Sequence, residues 1–484
     1  MHDLIHRRRM LVLAICCMSL LIVSLDNTVL NVALPSMRRE LNASVAGMQW
    51  TIDAYTLVLA SLLMLAGSTA DRIGRRKVFG VGLVLFTAGS LLCSLAPSLE
   101  WLIAFRMLQA VGGSMLNPVA MSIITNTFTD PRERARAIGV WGAVVGISMA
   151  AGPLIGGLLV DSVGWRSIFW VNLPVGLAAL VLTLRYVPES RADRPRRPDP
   201  VGQLLVMVLL GSVTYGIIEA PAAGWTSPLI LGCAVAAAAS LAGLLAYEPR
   251  RAQPLIDPRF FRSAPFSGAT VIAVSGFAAL SGFLFLNTLY LQDVRGLSAL
   301  HAGLYMLPMA ALTGLCAPLS GRLVGTRGPM LPLLVAGAAM AASGLLFAAF
   351  SAETSTPLMF AGYVLFGLGF GMVNAPITNT AVSGMPRSQA GVAAAVASTS
   401  RQTGGTLGVA VIGAVLAAGT AGGGDFVEAT RPAWWIITAC GLLVLVVGAV
   451  TSGRWARGTA LRTAAALEPE PALSPSTAAA PPRV

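Results

Sequence analysis

Charged residues are scarce in this sequence of 484 residues. Asp, Glu, Lys and Arg make up 11% of the chain, whereas a soluble domain usually carries about 25%. Hydrophobic residues make up 55%, and the mean hydropathy is +0.74. Water does not solvate a surface this poor in charge, so the length does not represent two or three soluble domains. The composition predicts an all-α membrane protein whose surface mostly faces lipid.

Histidine and cysteine are also few, and their placement excludes several kinds of site. The three histidines are His2, His6 and His301, which are too scattered for a cluster of metal ligands. The six cysteines all fall within apolar runs without paired spacing, which excludes a disulfide framework and a zinc site. A Walker A loop and a G-x-S-x-G sequence are both absent, which argues against an ATP-driven pump and a serine hydrolase. A membrane-embedded lipid-modifying enzyme stays a remote alternative, and we predict that the chain is not an enzyme.

Long apolar runs dominate the rest of the sequence. A helix of about 20 residues crosses the roughly 30 Å of hydrocarbon in a bilayer, and the sequence holds fourteen such runs. They cover residues 10–34, 50–70, 77–96, 100–126, 136–160, 166–187, 201–220, 226–247, 266–291, 301–321, 329–350, 357–380, 391–418 and 433–453. The first run is too long for the apolar part of a signal peptide, and no small-residue cleavage site follows it. We therefore predict 14 transmembrane helices.

The basic residues are distributed unequally between the two sides of these spans. The formal net charge is +12, which in a soluble protein would suggest a nucleic-acid partner. With the N-terminus inside, 26 of the 33 basic residues lie in cytoplasmic segments and 5 in outer loops, while Arg106 and Arg401 lie within spans. This distribution follows the positive-inside rule. It predicts that both termini are cytoplasmic and that the chain binds no nucleic acid.

Composition divides the chain into four segments. We predict an N-terminal six-helix bundle over residues 1–187 and a C-terminal six-helix bundle over residues 263–454. Between them, residues 188–262 hold cytoplasmic linkers rich in Pro and Arg and two additional central helices. Residues 455–484 are rich in Ala, Pro, Ser and Glu and are predicted to be a disordered cytoplasmic tail.

An internal repeat supports the two bundles of six helices. The segment RMLQAVGGSMLN begins at Arg106, and YVLFGLGFGMVN begins 257 residues later at Tyr363. The loops that start at Gly67 and Gly321 also resemble each other at nearly the same offset. Duplicated halves around a site near the middle of the membrane are the architecture of secondary transporters.

Charges inside the spans are few, and such charges usually have a function. At 1.5 Å per residue, Asp26, Asp53 and Arg106 lie in one outer layer of the first half. One arginine neutralises only one of the two acids, so the other is free to bind and release a proton. We predict that these three residues couple transport to protons, with Asp26 as the first candidate for the proton carrier and Asp53 as the next. The alternative is a static buried ion pair that fixes helix packing.

Two glycine-containing segments are predicted to control conformation. A short loop joins the second and third spans, and its glycines allow two helix ends to approach each other while its charges offer ion pairs. We assign a gating role to Gly67, Asp71, Arg72, Gly74 and Arg75, facing a charged cluster at residues 130–136. The alternative is a basic loop that only sets topology.

The second segment lies in the fifth span, where small residues permit close helix contact and a proline can bend the helix. Its residues are Gly146, Gly152, Pro153, Gly156 and Gly157. Polar residues within several spans are candidates for lining a substrate cavity. They are Asn31, Gln109, Asn117, Asn287, Tyr290, Asn374, Arg401 and Gln402.

These segments together resemble the drug:proton antiporter-2 branch of the major facilitator superfamily, the fourteen-helix multidrug exporters. The resemblance extends over essentially the whole chain and is specific for the family rather than for the substrate. The matching segments are residues 25–35 (LDNTVLNVALP), the loop 67–77, Arg106 with Gln109 and Gly112, residues 152–157 (GPLIGG), residues 165–174 (WRSIFWVNLP) and residues 401–405 (RQTGG).

The resemblance implies a major facilitator fold and proton-coupled export of lipophilic drugs or antibiotics by alternating access. It implies a monomer in the bacterial cell membrane, with lipophilic small molecules, protons and the lipid bilayer as partners. The proton gradient supplies the energy, and no cofactor is implied. Export of a single compound made by the same cell is the close alternative.

Two departures from the family pattern limit these implications. The loop of the second half has Gly325 where the first half has Asp71, so it cannot form the same ion pair. The tenth span has no acidic residue, although relatives that carry divalent organic cations are reported to use one there. Dicationic substrates are therefore in doubt.

Overall fold

The computed structural model describes residues 2–192, 198–251, 253–351, 353–383, 385, 389–420 and 425–467, and these residues form helices joined by short loops without a strand. The N-terminal half contains seven helices, of which the last two share one span. They are α1 (His2–Leu41), α2 (Val45–Ile73), α3 (Arg75–Ser94), α4 (Leu99–Thr127), α5 (Pro131–Ser162), α6 (Ser167–Trp170) and α7 (Asn172–Tyr186).

Two central helices precede the C-terminal half. They are α8 (Pro200–Ala223) and α9 (Pro228–Tyr247). The C-terminal half contains α10 (Ala264–Leu289), α11 (Ala299–Tyr305), α12 (Leu307–Arg327), α13 (Met330–Ala348), α14 (Thr356–Val382), α15 (Ala390–Thr420), α16 (Phe426–Thr451) and α17 (Arg454–Leu467). Short 3-10 helices cover Glu248–Arg250 and Pro258–Arg262, and a π-helical turn, Tyr290–Val294, extends α10.

Side-chain caps and one glycine set several helix ends. The Asp130 carboxylate accepts hydrogen bonds from the backbone of Arg132 and Glu133 and so starts α5. Ser44 caps α2 in the same way by accepting from the backbone nitrogen of Gly47. Gly74 separates α2 from α3 with a φ of 132°, a conformation that favours glycine.

Fourteen helical segments in the described part of the chain are long and apolar enough to cross a membrane, which confirms the predicted number. The two central helices are the least buried of these segments, with 22% and 11% of their most apolar windows inside the protein. Helix α8 packs against α2, α15 and α9, whereas α9 packs mainly against α8. The pair therefore lies at the edge of the two bundles.

The duplicated segments pack in the same way in both halves. A Cβ atom on Gly112 of α4 would lie 2.7 Å from the backbone oxygen of Gly82 on α3. The equivalent atom on Gly369 of α14 would lie 2.8 Å from the backbone oxygen of Ala336 on α13. Each helix thus approaches its neighbour through a glycine, as the repeat predicts.

The hydrophobic cores show where the two halves meet. We call the end that carries Arg7–Arg9, Gly74 and Arg454 the basic end, and the opposite end, where α1 finishes and α2 begins, the far end. Toward the far end, side chains of α1, α2 and α4–α6 join those of the C-terminal half in one core. Toward the basic end, the N-terminal half has a separate core of its own. The two halves therefore share a packed interior only away from the basic end.

The structure corrects the sequence predictions in three places. Residues 455–467, predicted as part of a disordered tail, form α17, which is tied down by hydrogen bonds such as that from the Ala264 nitrogen to the Thr459 hydroxyl (2.9 Å). The remainder of the predicted tail, residues 468–484, lies outside the described residues, as do 193–197 and 252 of the predicted linker. The predicted span 301–321 begins as a separate short helix, α11, before α12. Asp53 lies eight positions, or roughly 12 Å, inside α2 rather than within one turn of its end.

Candidate functional site

A buried ion pair joins α1 to α4 in the N-terminal half. An Nη1 hydrogen of Arg106 is donated to Oδ2 of Asp26, and the two side chains are 0% and 2% exposed. Arg106 Nη1 also donates to Oε1 of Gln109 at 2.7 Å, and its Nε donates to the backbone oxygen of Thr51 at 3.3 Å. The guanidinium lies 4.2 Å from the centre of the Tyr55 ring. The predicted contact between Asp26 and Arg106 is thus present.

Neutral polar side chains complete this pair on the carboxylate side. Oδ1 of Asp26 accepts from Nε2 of Gln109 at 2.9 Å and from Nδ2 of Asn172 at 2.8 Å. Both amides also donate to the Ser90 hydroxyl, at 2.7 and 3.2 Å. Helices α1, α3, α4 and α7 therefore meet at one hydrogen-bonded network. A buried ion pair needs such additional partners, because the attraction between its charges alone rarely compensates for the free energy of removing them from water.

Asp53 takes no part in this network. The residue is 0% exposed, and neither carboxylate oxygen has a hydrogen-bond partner within the described residues. The Thr56 hydroxyl, one turn further along α2, is its polar neighbour. Asp53, the second acid of the predicted outer layer, is thus a buried carboxyl group separate from the Asp26–Arg106 pair.

The position of Asp53 on α2 places it where the two halves touch. Residues 49, 53 and 56 have the spacing of one helix face. On that face, Nε2 of Gln49 donates to the backbone oxygens of Val409 (3.1 Å) and Ala410 (2.8 Å) on α15. The hydroxyl of Thr406 on α15 donates to that of Thr56 at 2.9 Å. Asp53 therefore lies between two hydrogen-bonded contacts of the α2–α15 seam.

The junction between α2 and α3, where the sequence predicted a loop over residues 67–77, is helical except at Gly74 and binds the segment that follows α7. Asp71 pairs with Arg75 at 2.9 Å, and its backbone oxygen accepts from the nitrogen of Ala192 at 3.0 Å. Glu189 accepts from the backbone nitrogen of Arg76 at 3.0 Å, so it caps the start of α3. These contacts stay within the N-terminal half and its linker. The gating role itself remains a prediction.

The charged cluster predicted to face this loop makes other contacts. Asp130 caps α5, and Glu133 pairs with Arg9 of α1 at 3.3 Å. Within the described residues, no ion pair joins residues 130–136 to residues 67–77. Both groups of charges lie at the basic end, but they serve different helix junctions.

The glycines of α5 permit close contact on two sides of that helix. A Cβ atom on Gly152 would lie 2.0 Å from the Thr28 hydroxyl on α1, and one on Gly156 would lie 3.0 Å from the Val29 side chain. One on Gly157 would lie 2.5 Å from Cα of Leu300 on α11, in the C-terminal half. A Cβ atom on Gly146 would lie 3.9 Å from Cα of Gly314 on α12. The segment therefore serves both a contact within one half and a contact between halves.

Further contacts at the far end also join the two halves. The Asp161 carboxylate at the end of α5 accepts from the backbone nitrogens of Ala299 (3.2 Å) and Leu300 (2.9 Å), so it caps α11 of the other half. Arg38 pairs with Asp293 at 3.4 Å. With the shared core, these contacts join the two halves at the far end, whereas toward the basic end the N-terminal half keeps a separate core of its own.

Five of the predicted cavity residues pack against neighbouring helices or are largely buried. Gln109 belongs to the Asp26 network, and Oδ1 of Asn287 accepts from the Tyr363 hydroxyl at 3.0 Å. The Tyr290 hydroxyl donates to the backbone oxygen of Ser351 at 2.6 Å. Asn31 donates to the backbone of α1 one turn back, and the buried oxygen of Asn117 has no hydrogen-bond partner within the described residues.

The other three predicted cavity residues lie together on α14 and α15. Arg401 is half-buried, and its Nη1 donates to Oδ1 of Asn374 at 3.5 Å and to the Thr378 hydroxyl at 3.2 Å. Asn374 and Thr378 are exposed, and Gln402 is half-buried beside Arg401. This polar group is part of the C-terminal half.

Several residues of the site were not singled out from the sequence. Asn172 and Ser90 complete the Asp26 network, and Gln49 and Asp161 join the halves. Asn172 lies in one of the segments that resemble the family, which was the available signal. For the other three, a polar residue at a helix end or in a small-residue run carries little information on its own.

The family model described as Major Facilitator Superfamily matches residues 16–409 of the chain. The chain belongs to this superfamily. It is a multi-pass membrane transporter rather than an enzyme, as the sequence predicted.

Curated members of the superfamily that resemble the chain are named for drug resistance or drug export. The multidrug resistance protein Stp of Mycobacterium tuberculosis (strain CDC 1551 / Oshkosh) is 40% identical over 413 residues, which are 85% of this chain and 77% of that protein. The tetracenomycin C resistance and export protein of Streptomyces glaucescens is 38% identical over 398 residues, or 82% and 74% of the two chains. These relatives confirm the resemblance inferred from the motifs.

A solved structure of the superfamily fold is also similar. It is the crystal structure of a bacterial homolog to the human lysosomal transporter Spinster, in an inward-facing and occupied conformation. The match has a TM-score of 0.63 and 20% identity and covers 93% of this chain and 97% of that one. At this identity the similarity shows the fold alone.

Proposed function

We propose that this member of the superfamily exports lipophilic drugs or antibiotics across a bacterial cell membrane in exchange for protons. The observation that carries the proposal is the buried carboxyl group of Asp53, which has no hydrogen-bond partner within the described residues and lies in the seam between α2 and α15 of the two halves. Toward the basic end the halves share no core, and we place the substrate cleft between them there. The names of the relatives, which include multidrug resistance and drug efflux, support the substrate class.

The charge distribution supports an orientation with the basic end in the cytoplasm. Substrate then enters the cleft from the cytoplasm or from the inner leaflet. The path runs between the two halves of one chain, so a monomer suffices. The proton gradient is the energy source in this scheme, and the transporter requires no cofactor.

In this scheme Asp53 carries the proton. Burying an ionised carboxylate without a partner costs several kcal/mol, so the neutral acid is the form that suits the closed seam. When the far end opens, α2 and α15 separate there, and water from outside reaches Asp53. When substrate fills the cleft, it loosens the contact between Thr56 and Thr406, and the proton leaves to the cytoplasm.

The driving force is sufficient for useful export. With a membrane potential of about 120 mV and a pH difference of about one unit, one proton supplies roughly 4 kcal/mol. This corresponds to a substrate gradient on the order of a thousandfold.

The ion pair of Asp26 and Arg106 has a different part in the proposal. The pair is fully buried, and both carboxylate oxygens of Asp26 accept hydrogen bonds, so the network holds α1, α3, α4 and α7 as one unit. We therefore rank Asp53 before Asp26 as the proton carrier. Asp26 stays the second candidate.

Export of a single natural product is the closest alternative, because several relatives are named for one antibiotic each. Examples are the tetracenomycin C protein and the methylenomycin A resistance protein of Streptomyces coelicolor (strain ATCC BAA-471 / A3(2) / M145), the latter 36% identical over 400 residues. Susceptibility profiling of a sensitive strain that produces this chain separates the two. Protection against many unrelated compounds supports multidrug export, and protection against one supports the alternative.

Transport in vesicles tests the proton coupling. The purified protein is reconstituted, a proton gradient is imposed, and uptake of a compound from the susceptibility profile is followed. We expect accumulation against its gradient that collapses when a proton ionophore is added. Accumulation that survives the ionophore would contradict the proposal.

A further inference from the structure

Four charged side chains lie away from the ends of the membrane-spanning helices, and they differ in how accessible they are. Asp26 and Arg106 neutralise each other in the N-terminal half, and Asp53 is enclosed in the seam between α2 and α15. Arg401 lies far from the ends of its span in the C-terminal half, and its side chain is only half-buried. The described spans thus leave one cation accessible at the middle of the membrane.

Only neutral oxygen atoms hold the guanidinium of Arg401. Its hydrogen bonds go to Oδ1 of Asn374 at 3.5 Å, to the Thr378 hydroxyl at 3.2 Å and to the Ser398 hydroxyl at 3.4 Å. None of the ion pairs within the described residues includes Arg401. Two of its three contacts are longer than 3.3 Å, so its strong hydrogen-bonding capacity is largely unused.

The depth of this group places it within the cleft. Arg401 is eleven residues, or roughly 16 Å, from the start of α15 at the basic end. Its neighbours Asn374 and Thr378 are exposed. Exposed amide, hydroxyl and guanidinium groups at this depth belong to a water-filled cavity, because hydrocarbon leaves them unsatisfied. The halves share no core toward the basic end, so the cavity lies between them.

We propose that Arg401, Asn374 and Thr378 form an anion subsite and that the transporter prefers lipophilic substrates with an acidic group, such as a phenolate, an enolate or a carboxylate. This inference rests on the proposed export function and specifies its substrate class. The acidic group replaces water at the guanidinium, and the apolar body of the substrate fills the rest of the cleft. Organic cations are disfavoured, because the described residues around this subsite offer no free acid to them.

The electrical consequence agrees with the direction of transport. An anion that leaves the cell moves with an inside-negative membrane potential, whereas a cation moves against it. The proton that enters carries charge in the same electrical direction as the departing anion. Export of an acidic substrate therefore responds to the potential more steeply than export of a neutral one.

A matched pair of probes tests the subsite. The acid is 2-hydroxy-1,4-naphthoquinone, which is ionised at neutral pH, and the comparison is its methyl ether, which has a similar shape without the charge. Binding to the purified full-length protein is measured by equilibrium dialysis. We expect the wild type to bind the acid about tenfold more tightly than the ether, since a partly desolvated charge pair at close range is of this strength.

Three variants assign this preference to the subsite. Arg401→Gln should bind the two probes equally, Arg401→Lys should keep part of the preference, and Arg431→Gln, which removes an arginine at the far end, should behave as the wild type. If the wild type binds both probes equally, that measurement alone overturns the inference, and the variants are not needed. A preference that survives in a folded Arg401→Gln protein would also overturn it.

Transport separates failure of the subsite from failure of the export proposal. In vesicles, uptake of the acid should rise with a potassium-diffusion potential more steeply than uptake of the ether. If both probes accumulate under a proton gradient with the same dependence on potential, the export proposal stands and the subsite is wrong. If neither probe nor any compound from the susceptibility profile accumulates, the export proposal itself fails, and the inference falls with it.

Discussion

At the scale of single residues, two aspartates of the N-terminal half are in opposite surroundings. Asp26 accepts hydrogen bonds from Arg106, Gln109 and Asn172. The carboxyl group of Asp53 has no such partner within the described residues. A dry interior tolerates a carboxylate only when charge and donors satisfy it. In the proposed scheme, Asp26 therefore holds helices together, and Asp53 is the group that carries the proton.

The first prediction concerns Asp53→Asn. The amide has nearly the shape of the protonated acid, so we expect the free energy of unfolding to change by less than about 1 kcal/mol. Proton-driven accumulation in vesicles should be lost, because the group no longer titrates, while substrate binding persists. Glu428→Gln, at an exposed acid near the start of α16, is the matched control and should transport normally. Wild-type accumulation by Asp53→Asn would show that the proton is carried elsewhere.

The second prediction concerns Asp26→Asn. Removing one partner of a buried ion pair leaves Arg106 uncompensated, so we expect a loss of about 3–5 kcal/mol in the free energy of unfolding. The double variant Asp26→Asn with Arg106→Gln should recover part of that loss, because no lone charge remains. Denaturant unfolding of the three proteins measures the difference. If Asp26→Asn is as stable as the wild type and loses only coupling, the pair is the proton site and not a packing device.

The sequence predicted part of this residue-scale picture. Counting 1.5 Å per residue placed Asp26 and Arg106 at a similar depth, and the structure brings them into contact. The count could not show that Asp53 faces α15, because the direction of a side chain depends on which helix packs against it. It also placed Asp53 too near the end of α2, since the helix begins at Val45 and not at Trp50.

At the scale of helices, α5 combines an interface within one half with an interface between the halves that opens in the proposed transport cycle. Gly152 and Gly156 allow α1 to approach, and both helices belong to the N-terminal half. Gly157 faces α11, and the backbone oxygen of Pro153 lies 2.3 Å from where a Cβ atom on Gly303 would be. The sequence predicted close packing from the spacing of these glycines, but it could not show which of them face the other half.

The third prediction uses this difference between the glycines of α5. A Cβ atom on Gly157 would lie 2.5 Å from Cα of Leu300, so Gly157→Ala should force α5 and α11 apart and favour the conformation that is open at the far end. A cysteine introduced at Ala299, which is buried, should react with a water-soluble thiol reagent several-fold faster in this background. Gly139→Ala is the control on the same helix, because nothing lies within 4 Å of its added Cβ atom. Equal labelling in the two backgrounds would mean that the contact does not restrain the far end.

At the scale of the whole molecule, the two halves repeat their packing but not their charge. The first half joins α1 to α4 through Asp26 and Arg106, whereas the second joins α10 to α14 through the neutral side chains of Asn287 and Tyr363. The repeat could be predicted from the sequence because Tyr363 occupies the position in the second half that corresponds to Arg106 in the first half. The sequence could not predict which end of the molecule is closed, because this depends on long-range contacts between the halves. These contacts include the cap that Asp161 forms on α11.

The last prediction tests whether the far end must open during transport. In a background without the six native cysteines, Asp161→Cys and Leu300→Cys are joined by a short bifunctional thiol reagent, since the Asp161 carboxylate lies 2.9 Å from the Leu300 nitrogen. The crosslink should reduce transport to near zero, because it connects the two halves at the closed end, and cleavage of the reagent should restore it. The control pair, Arg9→Cys with Glu133→Cys, joins α1 to α5 within one half, so its crosslink should leave most of the transport intact. Full transport by the protein crosslinked at the far end would exclude alternating access through this interface.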